Sequence, residues 1–272
     1  MEKNGVPNAR KNAEWMLASA LGCSTLELYV DSQRIPDVGE VERYQNYLKR
    51  RASREPLQYI TGDTAFMALP FKVRAGVFIP RPDTEVLVEK IEKKIIGHAA
   101  HLRILDLCCG TGAIAVSLAA RLRDTEVIGV DSSEAAVQLA IENASLNNVS
   151  HCVRILRADA REFLGSGSEA FHVVVCNPPY VPTGDISQLA PEIRNHEPVG
   201  ALDGGADGTD LYRMIIPLLP GRIGPGGYAA FEIGPPQRET VETLLEGAGF
   251  VEIESHWDYG GRDRVVIGQR PH

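Results

Sequence analysis

The sequence predicts an α/β fold: a mostly parallel seven-stranded sheet with helices on both faces and a C-terminal antiparallel hairpin, preceded by a small helical domain. From about residue 81, apolar strand-like runs alternate with helix-like segments, the pattern of a parallel sheet with helical crossovers. The last two runs have no helix between them, so they form an antiparallel pair. The first sixty residues show helical periodicity.

These patterns divide the chain into three parts. The predicted strands are 103–107, 126–130, 153–158, 171–176, 227–234, 251–257 and 264–268. Short β-like pieces around Phe66 and Phe71, broken by Pro70 and Gly76, predict a hairpin before them. We therefore expect a helical domain over 1–62, a β-hairpin linker over 63–80 and the α/β domain over 81–272.

Composition and charge disfavour several classes of protein. The chain is 44% hydrophobic and 24% charged, as in an ordinary globular protein. No apolar run approaches the roughly 20 residues that cross a bilayer, and the N-terminus lacks the apolar segment of a signal peptide, so we expect a cytoplasmic protein. The net charge of −8 argues against extended nucleic-acid binding, although Lys49, Arg50, Arg51 and Arg54 form a candidate basic patch. The five cysteines form no CxxC pair, so no metal site is predicted.

The first candidate site lies where the first strand of the α/β domain runs into a glycine-rich turn, Asp106 to Gly112. Glycine lets the backbone approach a ligand, and the start of a helix offers unpaired N–H groups. Residues 110–115, Gly-Thr-Gly-Ala-Ile-Ala, fit the G-x-G-x-x-A dinucleotide pattern. A helix start that needs glycine only for packing would look the same.

Two aspartates follow the next two strands. Asp131, about twenty residues past the glycine turn, can accept both hydroxyls of an adenosine ribose. Asp159 follows the third strand, where an adenine amino group could donate to it. NAD and S-adenosylmethionine share this nucleoside, so the aspartates do not name the reaction. The alternatives are a helix N-cap for Asp131 and a surface loop for Asp159.

The stretch VVVCNPPYVP, residues 173–182, distinguishes the two cofactors. Its two prolines supply no N–H, so the strand ends there. The first and fourth strands would flank the switch in strand order, which places Asn177 opposite the glycine turn. The Asn177 carboxamide oxygen and a proline carbonyl can then accept the two N–H groups of an amide or aromatic amine, and Tyr180 can stack on that flat group. A simple strand terminator is the alternative.

An amide or aromatic amine nitrogen is a poor nucleophile, because its lone pair is delocalised. Orientation in line with a sulfonium methyl group is the help that it most needs, and orientation can supply about 7–11 kcal/mol of a barrier. Hydride transfer has no use for such a clamp. The residues therefore predict methyl transfer.

With the clamp Asn177-Pro178-Pro179-Tyr180 after the glycine turn, the chain resembles the amino-methylating S-adenosylmethionine enzymes. It is similar to one branch, the release factor glutamine methyltransferases of the HemK/PrmC type, at REPLQYITG (54–62), GVFIPRPDTEVLVE (76–89), EPVGALDGGADG (197–208) and DYGGRDRVVIG (258–268). The resemblance implies a class I S-adenosylmethionine-dependent methyltransferase fold. It also implies N5-methylation of the glutamine in the Gly-Gly-Gln motif of peptide chain release factors, with S-adenosyl-L-homocysteine as the product.

The resemblance also assigns residues to roles. The glycine turn would hold the methionine end of the cofactor, Asp131 its ribose, and Asp159 and Ala160 its adenine. The implied cofactor-binding residues are Asp106, Cys108, Cys109, Gly110, Thr111, Gly112, Asp131, Asp159, Ala160 and Asn177. The implied catalytic residues, which clamp the substrate glutamine, are Asn177, Pro178, Pro179 and Tyr180. The implied substrate entrance comprises Phe78, Arg81, Pro82, Thr84 and Glu85.

The chain departs from the family pattern at two places. Cys108 and Cys109 stand where many members have glycine and a small polar residue, and Ala160 stands where many have an aromatic ring. The first sixty residues carry no catalytic motif and are expected to recognise the release factor. We expect a monomer that requires no membrane and no direct contact with nucleic acid. The alternatives are a ribosomal-protein glutamine methyltransferase, a nucleic-acid adenine or cytosine amino-methyltransferase, and a non-catalytic binding module.

Overall fold

The computed structural model describes residues 1–31, 33–96 and 101–272. The N-terminal part is helical, with α1 (Ala9–Leu21), α2 (Glu27–Val30), α3 (Val38–Ala52) and α4 (Leu57–Thr61). Asp37 and Glu40 form a capping box at the start of α3. Ser24 and Glu27 exchange the same kind of bonds at the start of α2.

The core of these helices is small. Met16, Leu57 and Ile60 are its buried members. Several large apolar side chains of the same segment face outward, among them Trp15 at 43% and Val38 at 76% exposure. The helical periodicity therefore predicts the helices correctly, but many of their large apolar side chains stay exposed to solvent.

Strands and helices alternate through the rest of the described chain. They are β1 (Asp63–Phe66), β2 (Leu69–Lys72), α5 (Pro82–Ile95), β3 (Leu102–Leu107), α6 (Ala113–Arg121), β4 (Thr125–Asp131), α7 (Glu134–Leu146), β5 (Val153–Arg157), α8 (Ala160–Ser166), β6 (Phe171–Cys176), α9 (Pro191–Arg194), α10 (Asp210–Ile215), β7 (Ile223–Glu232), α11 (Arg238–Gly247), β8 (Val251–Trp257) and β9 (Asp263–Gln269). The predicted strands match these bounds within a few residues.

The seven-stranded sheet has the order β5-β4-β3-β6-β7-β9-β8. The first five of these strands run parallel, and β9 pairs antiparallel with both of its neighbours. The strand order reverses between β3 and β6, the first and fourth strands of the α/β part, as the sequence predicts. Ligands of open parallel sheets bind outside the carboxyl ends of the strands at such a switch point.

The central strands β3 and β6 are largely buried on both faces. Along β3, Ile104 belongs to the core on one side of the sheet, while Leu105 and Leu107 belong to the core on the other. Along β6, Val175 and Cys176 divide in the same way. Because successive side chains of a strand point to opposite faces, both cores need the continuous apolar runs that the sequence shows.

The hairpin of β1 and β2 ends at residue 72, earlier than the predicted linker of residues 63–80. It is fastened to the α/β part by Asn143 of α7, which is fully buried. The Asn143 side chain accepts a bond from the Lys72 amide at 2.8 Å and donates to the carbonyls of Lys72 at 3.1 Å and Thr111 at 2.9 Å. One carboxamide therefore joins the hairpin to the glycine turn.

The variant Asn143→Ala should lower the free energy of unfolding by about 2–4 kcal/mol, because three backbone groups lose their partner and one of them, the Thr111 carbonyl, is in a buried bond. Chemical denaturation checks this. Asn147→Ala is the matched control, since half-buried Asn147 donates to the Pro70 carbonyl of the same hairpin. Loss of this hydrogen bond should lower the free energy of unfolding by about 1 kcal/mol. Equal losses in the two variants would contradict the role given to Asn143.

Candidate active site

A cavity of about 390 Å³ lies at the carboxyl ends of β3 and β6. It is bounded on one side by the glycine turn after β3 and on the other by the Asn-Pro-Pro-Tyr segment after β6. The predicted site residues that line it are Phe78, Thr84, Cys108, Cys109, Gly110, Thr111, Asp131, Asp159, Ala160, Asn177, Pro178, Pro179 and Tyr180. The structure thus brings together segments that lie up to a hundred residues apart in sequence.

The glycine turn is held in a left-handed backbone conformation. Cys108, Gly110 and Gly112 have φ angles of 58°, 54° and 77°, a region that costs a non-glycine residue energy. A Cβ atom at Gly112 would also lie 3.0 Å from the Cβ of Ala140, so this glycine is needed for close packing of α6 against α7. Cys108 occupies a position where glycine would be unstrained.

Asp131, at the end of β4, holds the glycine turn through a hydrogen bond to its backbone. Its Oδ2 atom accepts the Gly110 N–H at 2.8 Å, and its Oδ1 atom accepts the Ser133 N–H at 2.9 Å. Burial raises the pKa of Asp131, while these two bonds oppose that rise. Each carboxylate oxygen keeps a further lone pair, so the side chain can still accept bonds from a ligand in the cavity.

Asp106 does not line the cavity, although the sequence places it among the cofactor-binding residues. It is fully buried, and its Oδ2 atom accepts the Ala115 N–H at 3.0 Å. Burial raises its pKa to about 8 despite that bond. Gly112 also lies outside the cavity wall. Both residues shape the turn from behind, and neither faces the space in which a ligand would lie.

Asp159 and Ala160 lie at the cavity wall, where α8 begins. The Oδ1 atom of Asp159 accepts the N–H groups of Arg161 and Glu162, so this aspartate is also the N-cap of α8. Asp159 is therefore a helix cap, a role that the sequence raised only for Asp131, and its second oxygen is the one left for a ligand. Ala160 supplies no ring to the cavity.

The clamp that follows β6 is oriented by side chains from other elements. The Asn177 amide nitrogen donates to the Thr84 hydroxyl at 3.2 Å, which leaves the Asn177 oxygen for the cavity. The Tyr180 hydroxyl donates to Glu232 at 3.1 Å and accepts from Arg264 at 3.2 Å. Burial raises the pKa of Tyr180, and Glu232 raises it further, so Tyr180 is a neutral ring.

Of the predicted entrance residues, Phe78 and Thr84 line the cavity, and Arg81, Pro82 and Glu85 do not. Arg81 forms an ion pair with buried Glu197 and stacks over the Phe78 ring at 4.8 Å. Glu85 accepts the Met67 N–H of the β1–β2 turn at 2.6 Å. Arg81 and Glu85 therefore bind neighbouring segments outside the cavity wall, and the predicted role of these residues in shaping the entrance stays a prediction.

A segment that was assigned no site residue also covers the cavity. Residues 198, 200–202 and 211 belong to its wall, and Val181 bonds to Leu202 and Gly204. A Cβ atom at Gly204 would lie 2.8 Å from the Pro179 carbonyl oxygen, and one at Gly208 would lie 2.2 Å from that of Tyr180. The signal was present in EPVGALDGGADG, whose glycines permit this close approach to the clamp.

Three of the four residues of the candidate basic patch form ion pairs within the fold. Arg51 and Arg54 both bind Glu192 of α9, at 2.9 and 2.6 Å, and Arg50 binds Glu55 at 2.6 Å. Burial alone would raise the pKa of Glu192, but the two arginines lower it to about 2. These ion pairs connect the N-terminal helices to the segment that follows the clamp.

Residues 1–31, 33–96 and 101–272 contain neither a membrane-spanning helix nor a cluster of metal-ligating side chains. Among these residues, no helix is both long and apolar enough to cross a membrane. In the same part of the chain, no three His, Cys, Asp or Glu side chains are grouped so that they could hold a metal ion.

Comparisons with known proteins identify the family. The family model "PrmC N-terminal domain" matches residues 1–62, and "Methyltransferase small domain" matches residues 69–193. A release factor glutamine methyltransferase of Geobacter sulfurreducens is 42% identical over 99% of this chain and 92% of its own length. The chain belongs to the release factor glutamine methyltransferase family. Another member, from Caulobacter vibrioides, is 38% identical over 97% of this chain and 90% of its own length.

Solved structures agree with the predicted fold class. The T. thermophilus 16S rRNA N2 G1207 methyltransferase (RsmC), in complex with AdoMet and guanosine, aligns with a TM-score of 0.56 and 20% identity, over 76% of this chain and 49% of that one. At this identity the likeness concerns the fold alone. The class I S-adenosylmethionine-dependent methyltransferase fold predicted for this family member is confirmed.

The raised pKa of Asp106 predicts a pH dependence of stability. Asp106 stays protonated in the folded chain but ionises in the unfolded one. The folded protein therefore loses stability as the pH rises from 3.8, the ordinary pKa of aspartate, to about 8. The variant Asp106→Asn keeps an acceptor for Ala115 and removes this loss. In urea unfolding of cofactor-free protein, its stability relative to wild type should grow between pH 5 and pH 8. Parallel pH profiles of the two proteins would contradict the assignment.

Proposed function

We propose that this chain transfers the methyl group of S-adenosylmethionine to the side-chain amide nitrogen of the glutamine in the Gly-Gly-Gln motif of peptide chain release factors. The observation that carries the proposal is the Asn177 carboxamide, whose nitrogen is engaged by Thr84 and whose oxygen is left for the cavity. Membership of the release factor glutamine methyltransferase family supports the choice of substrate. S-adenosylhomocysteine is the product, and we place the reaction in the cytoplasm, where release factors act.

The residues of the cavity fit this cofactor. The Asp131 carboxylate is available for the ribose hydroxyls, and the turn from Cys108 to Thr111 presents backbone to the methionine end. Asp159 keeps one oxygen for the adenine amino group. Because Ala160 has no ring, affinity for adenine rests on contacts other than stacking from this position. When bound, the cofactor supplies an electrophilic methyl group.

The chain itself contributes orientation of the substrate. The Asn177 oxygen and a carbonyl of Pro178 or Pro179 accept the two N–H groups of the glutamine amide, and the proline rings keep these acceptors rigid. The Tyr180 ring packs on the flat amide. Holding a weakly nucleophilic nitrogen in line with its electrophile can supply about 7–11 kcal/mol of the barrier. We propose direct in-line transfer without a covalent enzyme intermediate: the N–C bond forms as the S–C bond breaks, S-adenosylhomocysteine leaves, and the nitrogen releases one proton to solvent.

The N-terminal helices are proposed to recognise the release factor. Their outer surface carries the large apolar side chains Leu26, Tyr29, Val30, Ile35 and Val38, all exposed, and exposed apolar surface of this kind is typical of protein interaction sites. The arginines at the end of α3 are used in ion pairs with Glu55 and Glu192. Direct contact with nucleic acid is therefore not part of the proposal.

Replacing Asn177 with alanine should reduce turnover by at least about 100-fold, because the amide is no longer held in line, while cofactor affinity stays within a few-fold of wild type. Labelled cofactor and purified release factor measure turnover, and calorimetry measures binding. Asn195→Ala, at an exposed asparagine, is the control and should match wild type. Near-normal turnover of Asn177→Ala would contradict the proposed site. Labelling of a Gly-Gly-Ala release factor would contradict the proposed target.

Replacing Leu26 and Ile35 together with serine should raise the KM for release factor about tenfold or more and leave kcat and cofactor affinity unchanged. These side chains are 71% and 90% exposed, so the fold loses little, whereas each would contribute up to roughly 1.5–3 kcal/mol if buried by a partner. Ile141→Ser on α7, 50% exposed, is the control. An unchanged KM in the double variant would argue against recognition by this surface.

A further inference from the structure

The segment of residues 258–268 contains none of the assigned site residues, yet one of its side chains reaches the clamp. Arg264 of β9 is 6% exposed and lies outside the cavity wall. Its Nη1 atom donates to the Tyr180 hydroxyl at 3.2 Å and to the Ile233 carbonyl at 3.1 Å. The bond to Tyr180 joins residues 84 positions apart, so no local sequence pattern indicates it.

The guanidinium of Arg264 is itself held along its other edge. Its Nε and Nη2 atoms donate to one oxygen of Asp258 at 3.4 and 3.2 Å, and the Asp258 side chain is fully buried. The other Asp258 oxygen accepts the N–H groups of Gly260 and Arg262, so the turn between β8 and β9 closes around this carboxylate. Because a guanidinium is planar and can only donate, these contacts fix the direction of the Nη1 atom.

The backbone of Tyr180 is fixed by a separate contact. The Nε2 atom of Gln237 donates to the Tyr180 carbonyl at 2.6 Å, and the Oε1 atom of Gln237 accepts the Gly234 N–H at 2.7 Å. With its main chain held, the freedom that remains to Tyr180 is rotation about its side-chain torsions. The hydroxyl restricts that rotation, since it accepts from Arg264 and donates to Glu232.

We propose that Arg264 is a positioning residue, which holds the Tyr180 ring by its hydroxyl in the plane that packs on the substrate amide. The inference rests on the proposed function, because the ring needs a fixed plane only if a flat group lies against it. Tyr180 lines the cavity, whereas Arg264 binds it from outside the wall. Without this bond the ring could turn, and the amide would lose one of the surfaces that keep it in line.

Two single variants of the full-length enzyme test this role with S-adenosylmethionine and release factor. Arg264→Lys keeps the charge but replaces the planar fork with one ammonium group, which pairs with the Asp258 carboxylate and leaves the Tyr180 hydroxyl without this donor. Its kcat should fall about tenfold, while the dissociation constant of the cofactor stays within twofold of wild type. Tyr180→Phe keeps the ring without the hydroxyl, and its kcat should fall by a similar factor.

Arg222→Lys is the matched control. Arg222 is also buried, at 2% exposure, and its guanidinium also donates to backbone carbonyls, those of Phe163, Leu164 and Glu169. It lies just before β7 and does not line the cavity. Its replacement should lower the thermal melting temperature and leave kcat within twofold of wild type. An equal fall of kcat in Arg222→Lys and Arg264→Lys would overturn the inference, because the loss would then follow from weakened packing in general.

The double variant Arg264→Lys/Tyr180→Phe tests whether the arginine acts through the hydroxyl. If it does, the double variant has about the kcat of Tyr180→Phe alone, because no hydroxyl is left to hold. Single losses that multiply fully in the double variant would overturn the inference, and so would wild-type kcat in either single variant. If Arg264→Lys does not fold, Tyr180→Phe still decides, since it removes only the group that Arg264 holds.

Failure of the proposed function is distinguishable from failure of this inference. Wild-type enzyme that binds S-adenosylmethionine but does not methylate release factor would overturn both. Active wild type together with an equally active Arg264→Lys variant would overturn the role of Arg264 alone.

Discussion

Two neighbouring parallel strands, β3 and β6, carry the glycine turn and the clamp at their carboxyl ends. Leu107 is paired with Cys176 in their register, so the chain leaves both strands at the same edge of the sheet. A one-residue slip would turn every side chain of a strand to the other face, and both faces are packed with apolar side chains. The two cores therefore fix the distance between the turn and the clamp.

Three carboxylates at or behind the cavity wall hold this geometry. Asp131 bonds the backbone of the turn, Glu232 bonds the clamp, and Glu197 bonds Arg81 at the entrance. Burial raises the pKa of each, which shows that the surroundings disfavour the charge. Burying a carboxylate costs free energy unless it accepts hydrogen bonds, and each of these three does so. Here they orient backbone and side chains around the proposed reaction.

The parts of this structure that depend on local pattern could be predicted from the sequence. Runs of β-branched residues predicted the strands, and the prolines of the clamp predicted where β6 ends. Partners that are distant in sequence could not be predicted. Glu232 lies inside an ordinary strand pattern, and Asn143 inside an ordinary helix pattern. The pairing of Arg51 with Glu192 spans 141 positions, so a run of basic residues resembled a free patch.

The most direct measurement of the central claim is to map the methyl group on the product. Release factor is incubated with the enzyme and S-adenosylmethionine, digested, and fragmented in a mass spectrometer. We expect one added methyl group on the side-chain amide of the Gly-Gly-Gln glutamine. A methyl group on any other residue, on bound nucleic acid, or nowhere in the presence of bound cofactor would contradict the account.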